Sequence, residues 1–374
     1  MAVQKRNPAV DIIRCLAFFC VVSVHFFLNN GYYLQTVEGT RMFVMTVMRS
    51  FFVVCVPLFI MLSGYLMRKK ELSKKYYTKV FKVVVTYILA SILCLLYSVI
   101  FLQEELTFKD MVLKILNFTA DPYAWYIEMY LGLFLIIPFL NILYNNIRTQ
   151  KWKLGLIAVL IVLTSLPTLI NVYNFSSVEW WAMPSSSFET SKLIPAWWTE
   201  FYPITYYFIG CYLSEYGLKI KGWLNVVLIV LGTVISGVYE YWRSYKSVFV
   251  WGAWNHYNSL FVVVISVLVF ALFINLRYDK YPEKAGRFFG KVSELCLGGY
   301  LLSWIFDSIF YPVLNQKVPL VQDRLEYYFV IVPLIFVLSL VLSYIVSKIQ
   351  LLLEIIFAKL GGLIRKHKPI DKSV

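Results

Sequence analysis

DIIRCLAFFCVVSVHFF, residues 11–27, is the stretch that decides the fold. Past Arg14 it is apolar except for Ser23 and His25, and with Leu28 it reaches the ~20 residues that cross a hydrocarbon core. It runs to full spanning length without a small-residue cleavage site, so it reads as a helix that stays and not as a removable signal peptide. The rest of the 374-residue chain repeats the pattern: 60% of residues are hydrophobic and 15% charged, where a soluble domain carries about 25% charge. Such a chain cannot hide its apolar surface in one water-facing core.

Ten stretches are predicted to span: 11–28, 44–66, 83–102, 125–143, 154–172, 201–216, 223–239, 257–275, 295–314 and 326–350. The fold class is therefore all-α, a polytopic integral membrane protein. Pro203 and Gly210 interrupt the sixth stretch; Pro138, Pro312 and Pro333 fall inside others, where neighbouring helices must satisfy the freed carbonyls. The 18% of aromatic residues suits a protein with many membrane–water boundaries. Trp180, Trp181, Trp197 and Trp198 in the loop 173–200 read as an aromatic belt or as a platform over an outward cavity.

Orientation follows from lysine and arginine. With the N-terminus in the cytoplasm, 25 of the 35 Lys and Arg fall on the cytoplasmic side, nine (Arg41, Arg49, Arg243 and Arg324 among them) on the other, and Arg14 inside the first span. Both termini are expected in the cytoplasm, and the composition suits a bacterial inner membrane. The net charge of +14 thus reflects topology and not nucleic acid. The six cysteines (Cys15, Cys20, Cys55, Cys94, Cys211, Cys296) all lie in or beside apolar stretches and pattern neither as disulfides nor as a metal site. One domain covers 1–374, with a helical core over 7–350 and a basic cytoplasmic tail over 351–374.

Ionisable groups at membrane depth are costly and mark functional sites. Eleven residues separate Arg14 from His25, three turns plus about 20°, so they share one helix face about 16 Å apart along the axis. Asp11 lies one turn below Arg14 and can orient it. A neutral imidazole can take a proton from a hydroxyl; a guanidinium can hold the phosphate or carboxylate of a donor. Each residue alone also has a plain reading, His25 as a packed polar group and Arg14 as a boundary cation reaching for headgroups. Lys75, Lys79 and Lys82 recur at helical spacing and can hold donor phosphates or anionic lipid. Ser63, beside Gly64, can line a donor channel. Trp125 and Glu128 open the fourth span, where Glu128 can orient His25 or meet an acceptor. Asp307 lies deep in the ninth span and needs a partner. His256 and His367 read as solvated.

The spacing Arg14-x10-His25 resembles the hallmark of the acyltransferase-3 family of membrane acyltransferases. VPLFIMLSGYLMRKK (56–70), AWYIEMYLGLFLIIPFLN (124–141), YFIGCYLSE (207–215) and GGYLLS (298–303) are similar to later blocks of that family, in order. The resemblance covers about residues 7–350. It implies an O-acyltransferase that moves an acyl group, most often acetyl, from a cytoplasmic donor such as acetyl-CoA to a hydroxyl of a cell-surface or lipid-linked carbohydrate. It makes His25 the base and Arg14 its essential partner; the residues read on their own chemistry then fall on two sides, Arg14, Ser63, Lys75, Lys79 and Lys82 toward the donor and Asp11, Trp125 and Glu128 toward the acceptor or in orienting roles. No permanently bound cofactor and no metal are implied; the partners are the acyl-CoA, the glycan and membrane lipid. Two departures stand out. Where the family carries Arg-x-x-Arg after the second helix, this chain has Lys79-Val80-Phe81-Lys82, which keeps the charge and loses the bidentate fork. Where a late block often ends in His, this chain has Ser303. A transporter or flippase of a polar solute or lipid-linked sugar is the other class that ten spans with sparse buried charge would fit.

Overall fold

The computed structural model describes residues 7–278 and 281–366, the last ten by backbone only. His367 and the rest of the predicted tail beyond Lys366 lie outside the described residues. Helices make up 76% of the chain, and no strand occurs among the described residues. They are α1 Pro8–Asn29, α2 Gly39–Phe52, α3 Cys55–Met67, α4 Lys74–Tyr77, α5 Val80–Phe101, α6 Phe108–Leu116, α7 Trp125–Asn146, α8 Gln150–Thr164, α9 Pro167–Ile170, α10 Val178–Ala182, α11 Tyr202–Glu215, α12 Gly222–Ser244, α13 Leu260–Ile274, α14 Glu283–Lys317 and α15 Tyr328–Lys366.

Among the described residues, eight segments are long and apolar enough to cross a bilayer: 8–29, 39–67, 74–101, 125–146, 222–244, 253–274, 283–317 and 321–356. The other two expected spans fall on α8, 15 residues, and α11, 14 residues, both short of the ~20 a lone span requires. α11 is wrapped by α3 and α8, so protein and not lipid sets its length. At the other extreme α15 runs to Lys366, so the tail expected from 351 begins as helix.

Local chemistry sets the helix ends. Asn7 caps α1 by accepting from the Ala9 N–H at 3.0 Å, and Pro8 occupies the first helical position, where its missing N–H costs nothing. Gly31 at φ +81° ends the helix in the left-handed region and turns the chain back toward α2. α1 is the most enclosed of the spans, 72% of its apolar window being buried. It packs on α14, α3, α15 and α2, which places its polar groups inside the bundle.

Pro138 in α7 strands the carbonyl of Phe134, four residues earlier. The Tyr76 hydroxyl of α4 donates to that carbonyl at 2.6 Å, and its ring stacks on Phe134 at 4.4 Å. Asn141, one turn on, donates to the carbonyls of Met67 and Lys70 and so caps α3; its own oxygen accepts from Tyr207 at 2.6 Å. α3 and α11 cross at two facing glycines. A Cβ on Gly64 would sit 2.0 Å from the Tyr207 carbonyl oxygen, and one on Gly210 would sit 2.1 Å from that of Met61. Only glycine lets these backbones approach so closely.

Three arginines counted on the far side of the membrane are buried. Arg49 pairs with Glu240 at 3.0 Å, Arg243 lies between the rings of Trp180 and Trp254, and Arg324 donates to the carbonyls of Asn30, Asn315, Val318 and Pro319. The six cysteines are free and buried. Trp180 is buried against Arg243 and not part of an interfacial belt.

Alanine gains about 1 kcal/mol over glycine in a helix, so the crossing decides the sign of a substitution. Gly64→Ala and Gly210→Ala should each lower the thermal midpoint in detergent by several degrees or abolish folded protein. Gly132→Ala in α7, where the added methyl meets nothing within 4 Å, should leave the midpoint unchanged or raise it slightly. Equal behaviour of the three would contradict the close crossing.

Candidate functional site

His25 lies on the inward face of α1, 8% exposed. Its Nδ1 is 3.4 Å from Oδ2 of Asp307 on α14, itself 2% exposed. The same oxygen accepts from the Tyr123 hydroxyl at 2.6 Å. The Tyr123 ring stacks on the imidazole, centroids 3.6 Å apart and planes 22° apart, and its hydroxyl oxygen accepts from Asn29 at 3.0 Å. The Tyr300 hydroxyl donates to the Tyr123 carbonyl. The carboxylate thus holds a hydrogen bond from Tyr123, while Nδ1 of His25 faces it at 3.4 Å without a hydrogen bond of its own. A proton on Nδ1 would point toward Asp307 and leave Nε2 with the lone pair.

Tyr123 owes its position to the loop before α7. There Asp121, 3% exposed, accepts from the Tyr123 N–H at 2.8 Å. The second oxygen of Asp121 is buried without a hydrogen bond. Burial pushes its pKa up to about 7, against the opposing pull of the Tyr123 and Ala124 N–H groups.

Arg14 faces a cavity of about 620 Å³ bounded by α1, α3, α5, α7, α14 and α15. Its Nη1 donates to Ser293 at 2.6 Å, and Asp11 is 4.0 Å away. Lys82 and Lys348 share this end with two carboxylates, Glu294 and Glu354. Gln350 bridges the mouth, accepting from Thr86 and donating to Glu354. Ser63, Phe59, Leu62 and Val21 line the middle. Tyr126, Tyr130 and Tyr300 line the end toward His25. The Tyr300 ring is 6.5 Å from the imidazole, so a single aromatic layer joins cavity and histidine.

The sequence-predicted set therefore divides. Arg14, Lys82 and Ser63 line the cavity, and Asp11 backs Arg14. Lys75 and Lys79 do not line it. Ser73 caps α4 and the chain bends at Thr78 and Lys79 before α5, which breaks the expected stripe. These two lysines line a separate hollow of about 300 Å³ with Lys69, Lys70 and Tyr76. Glu128 is exposed, and the carboxylate beside His25 is Asp307. Trp125 is 38% exposed and stacks on Tyr257 at 5.5 Å. Tyr123, Tyr300, Ser293 and Lys348 went unnoticed in the sequence. Asp307 alone carried a signal, as a carboxylate at membrane depth without a partner. Among the described residues no His, Cys, Asp and Glu group is arranged to hold a metal.

Comparison with known families matches residues 7–348 to the acyltransferase-3 model, described as an acyltransferase domain. Searches of curated proteins and of solved structures gave no match.

Asp121 sets a pH dependence. The unfolded chain ionises this carboxyl near pH 4, while the fold holds its proton to about pH 7, so the group's contribution to stability declines between those values and is lost above. Asp121→Asn keeps the acceptor for Tyr123 and removes the titration. It should raise the thermal midpoint at pH 8 by several degrees and change it little at pH 4. An equal shift at both pH values would show that Asp121 does not hold its proton in the fold.

Proposed function

The chain belongs to the acyltransferase-3 family and is a membrane acyltransferase; on that premise we propose that it transfers an acetyl group from cytoplasmic acetyl-CoA to a hydroxyl of a cell-surface or lipid-linked carbohydrate. The observation that carries this reading is the cavity. It has cations at one end, apolar walls, and Tyr126 and Tyr300 against the His25 enclosure at the other. A donor with phosphates at one end and a thioester on an aliphatic arm matches that order of chemistry. Arg14 and Lys82 would meet the phosphates, with Lys348 beside them, and the arm would run past Ser63 and Phe59. Lys75 and Lys79, in their own hollow, would act on this donor only near the entrance.

In the proposed step, Nε2 of His25 removes the proton of the acceptor hydroxyl as its oxygen attacks the thioester carbonyl carbon. The carbon–sulfur bond breaks, and the departing thiolate takes the proton back from the imidazolium. No net proton is released and no covalent enzyme intermediate is required. Asp307 positions the ring through Nδ1 and stabilises the transient imidazolium, and Tyr123 fixes Asp307. In the cell the lysine-rich end, with both termini, would face the cytoplasm of a bacterium, and His25, past the midplane of α1, would serve the outward half of the inner membrane.

The test is transfer of label from acetyl-CoA to envelope carbohydrate in membranes carrying matched amounts of each variant. His25→Ala should lose at least 100-fold in rate with donor binding intact, within the range a general base contributes. Arg14→Ala should raise the donor KM. Asp307→Asn should lower kcat while leaving the donor KM unchanged. Label transfer by His25→Ala at the wild-type rate would remove His25 as the base, and wild-type protein that neither binds acetyl-CoA nor transfers label would end the donor assignment.

A further inference from the structure

At the end of the bundle opposite the cavity mouth, two partly exposed tryptophans sit in an unusually braced setting. Trp251, 47% exposed, packs on Tyr33 at 4.6 Å and 35°, on His256 at 5.8 Å and 34°, and on Phe249 at 5.1 Å. Trp125, 38% exposed, stacks on Tyr257, the residue after His256. Beneath Trp251 lies Arg49, 2% exposed. Its guanidinium is 5.6 Å from the Tyr33 ring, 4.7 Å from Phe249 and 5.2 Å from Trp251, and it is neutralised by Glu240.

Tryptophans of a lipid-interface belt need no such base. Burying an ion pair carries a desolvation cost of several kcal/mol per ion, and here the pair fixes the orientation of three rings. The setting is also polar. His256 and Glu200 are exposed and within electrostatic reach of each other, and the Tyr33 hydroxyl accepts from Arg49 at 2.9 Å. Flat aromatic faces beside exposed hydrogen-bonding groups suit a ligand with an apolar face and a polar rim. A pyranose ring is such a ligand: its axial C–H bonds make one face apolar and its hydroxyls edge it.

The patch leads to the chemistry. Trp125 contacts Tyr126 at 6.2 Å, Tyr126 contacts Tyr300 at 5.8 Å, and Tyr300 lies 6.5 Å from His25. Tyr33 and Trp125 both hang from segments that hold the site, Tyr33 just past the end of α1 and Trp125 two residues after Tyr123. The patch and the cavity thus approach the same aromatic layer from opposite ends.

We propose that Trp125 and Trp251 form the acceptor subsite, stacking a pyranose ring with His256 and Glu200 on its hydroxyls, an inference that rests on the carbohydrate reading above. The experiment uses the full chain in lipid nanodiscs with methyl glycosides of hexoses and N-acetylhexosamines as soluble probes. It reads tryptophan fluorescence without donor and transfer kinetics with labelled acetyl-CoA. Trp251→Ala and Trp125→Ala should each raise the glycoside KM tenfold or more, with kcat and donor KM within twofold; Trp251→Phe should stay within threefold of wild type. Donor binding identifies folded variants, and should an alanine variant fail to fold, Trp251→Leu replaces it, keeping bulk without an aromatic face. Transfer with an unchanged glycoside KM in the folded variants would overturn the subsite and leave the acyltransferase reading standing. A fluorescence response in wild type that Trp251→Ala loses, without any transfer, would support the subsite and overturn the proposed donor chemistry. No response to any glycoside, with both tryptophans quenched by brominated lipid, would mark an interfacial belt and overturn the subsite.

Discussion

The contact between His25 Nδ1 and Asp307 Oδ2 joins α1 to α14 through two groups that water would otherwise claim. Inside a low-dielectric bundle neither is tolerable alone. An unpaired carboxylate there costs several kcal/mol, and an unoriented imidazole gives no control over which nitrogen holds the proton. Tyr123 donates to Asp307, Asn29 donates to the Tyr123 hydroxyl, and Tyr300 donates to the Tyr123 backbone carbonyl. The outcome is an imidazole held on one ring face by Tyr123, with Nδ1 facing the Asp307 carboxylate. The proposed general base would benefit from such placement, because its reactive lone pair would point one way before any substrate arrives. The packing of α1 at the centre of the bundle follows, since apart from Asn29 on α1 itself the partners of this network come from the loop before α7 and from α14.

The other interior charges are handled by different chemistry. Arg324 satisfies backbone carbonyls where α1 and α14 end, which ties the loop after α14 to the first turn-back of the chain. Arg49 has a carboxylate and three rings. Arg243, fully buried, has the rings of Trp180 and Trp254 at 4.5 and 4.3 Å. Guanidinium is weakly hydrated and stacks on aromatic faces, which lysine does not do well. This accounts for a division visible across the chain, with arginines in the interior of the far end and lysines concentrated along the rim of the cavity end.

The legible part of the molecule was local. One apolar stretch gave the helical membrane class, and a spacing within one helix put Arg14 and His25 on one face. Both depend only on helix periodicity. The partners of His25 were not legible, because Tyr123 and Asp307 are 184 residues apart and meet only through packing. Among 28 tyrosines nothing in the sequence singles out Tyr123 or Tyr300. The lysine stripe divides between two hollows, Lys82 lining the cavity and Lys75 and Lys79 the smaller one, a split that depends on how neighbouring helices pack and not on spacing. The burial of Arg49 and Arg243 was not legible either, because it depends on Glu240, Trp180 and Trp254 in distant segments.

In the proposed reaction, a donor thioester facing one compartment and an acceptor hydroxyl facing another would need a wall between them that water cannot cross but an acyl group can. A layer of rings answers both needs. Tyr126, Tyr130 and Tyr300 line the end of the cavity with flat faces, and Tyr123 stacks on His25 with its hydroxyl engaged by Asp307. Excluding water protects a thioester from hydrolysis and strengthens the His25–Asp307 interaction, since both effects follow from the same low local dielectric. A wider polar passage would admit substrates more readily and lose both benefits. The aromatic layer that makes this site hard to read from sequence is thus what the proposed transfer between two aqueous compartments would require.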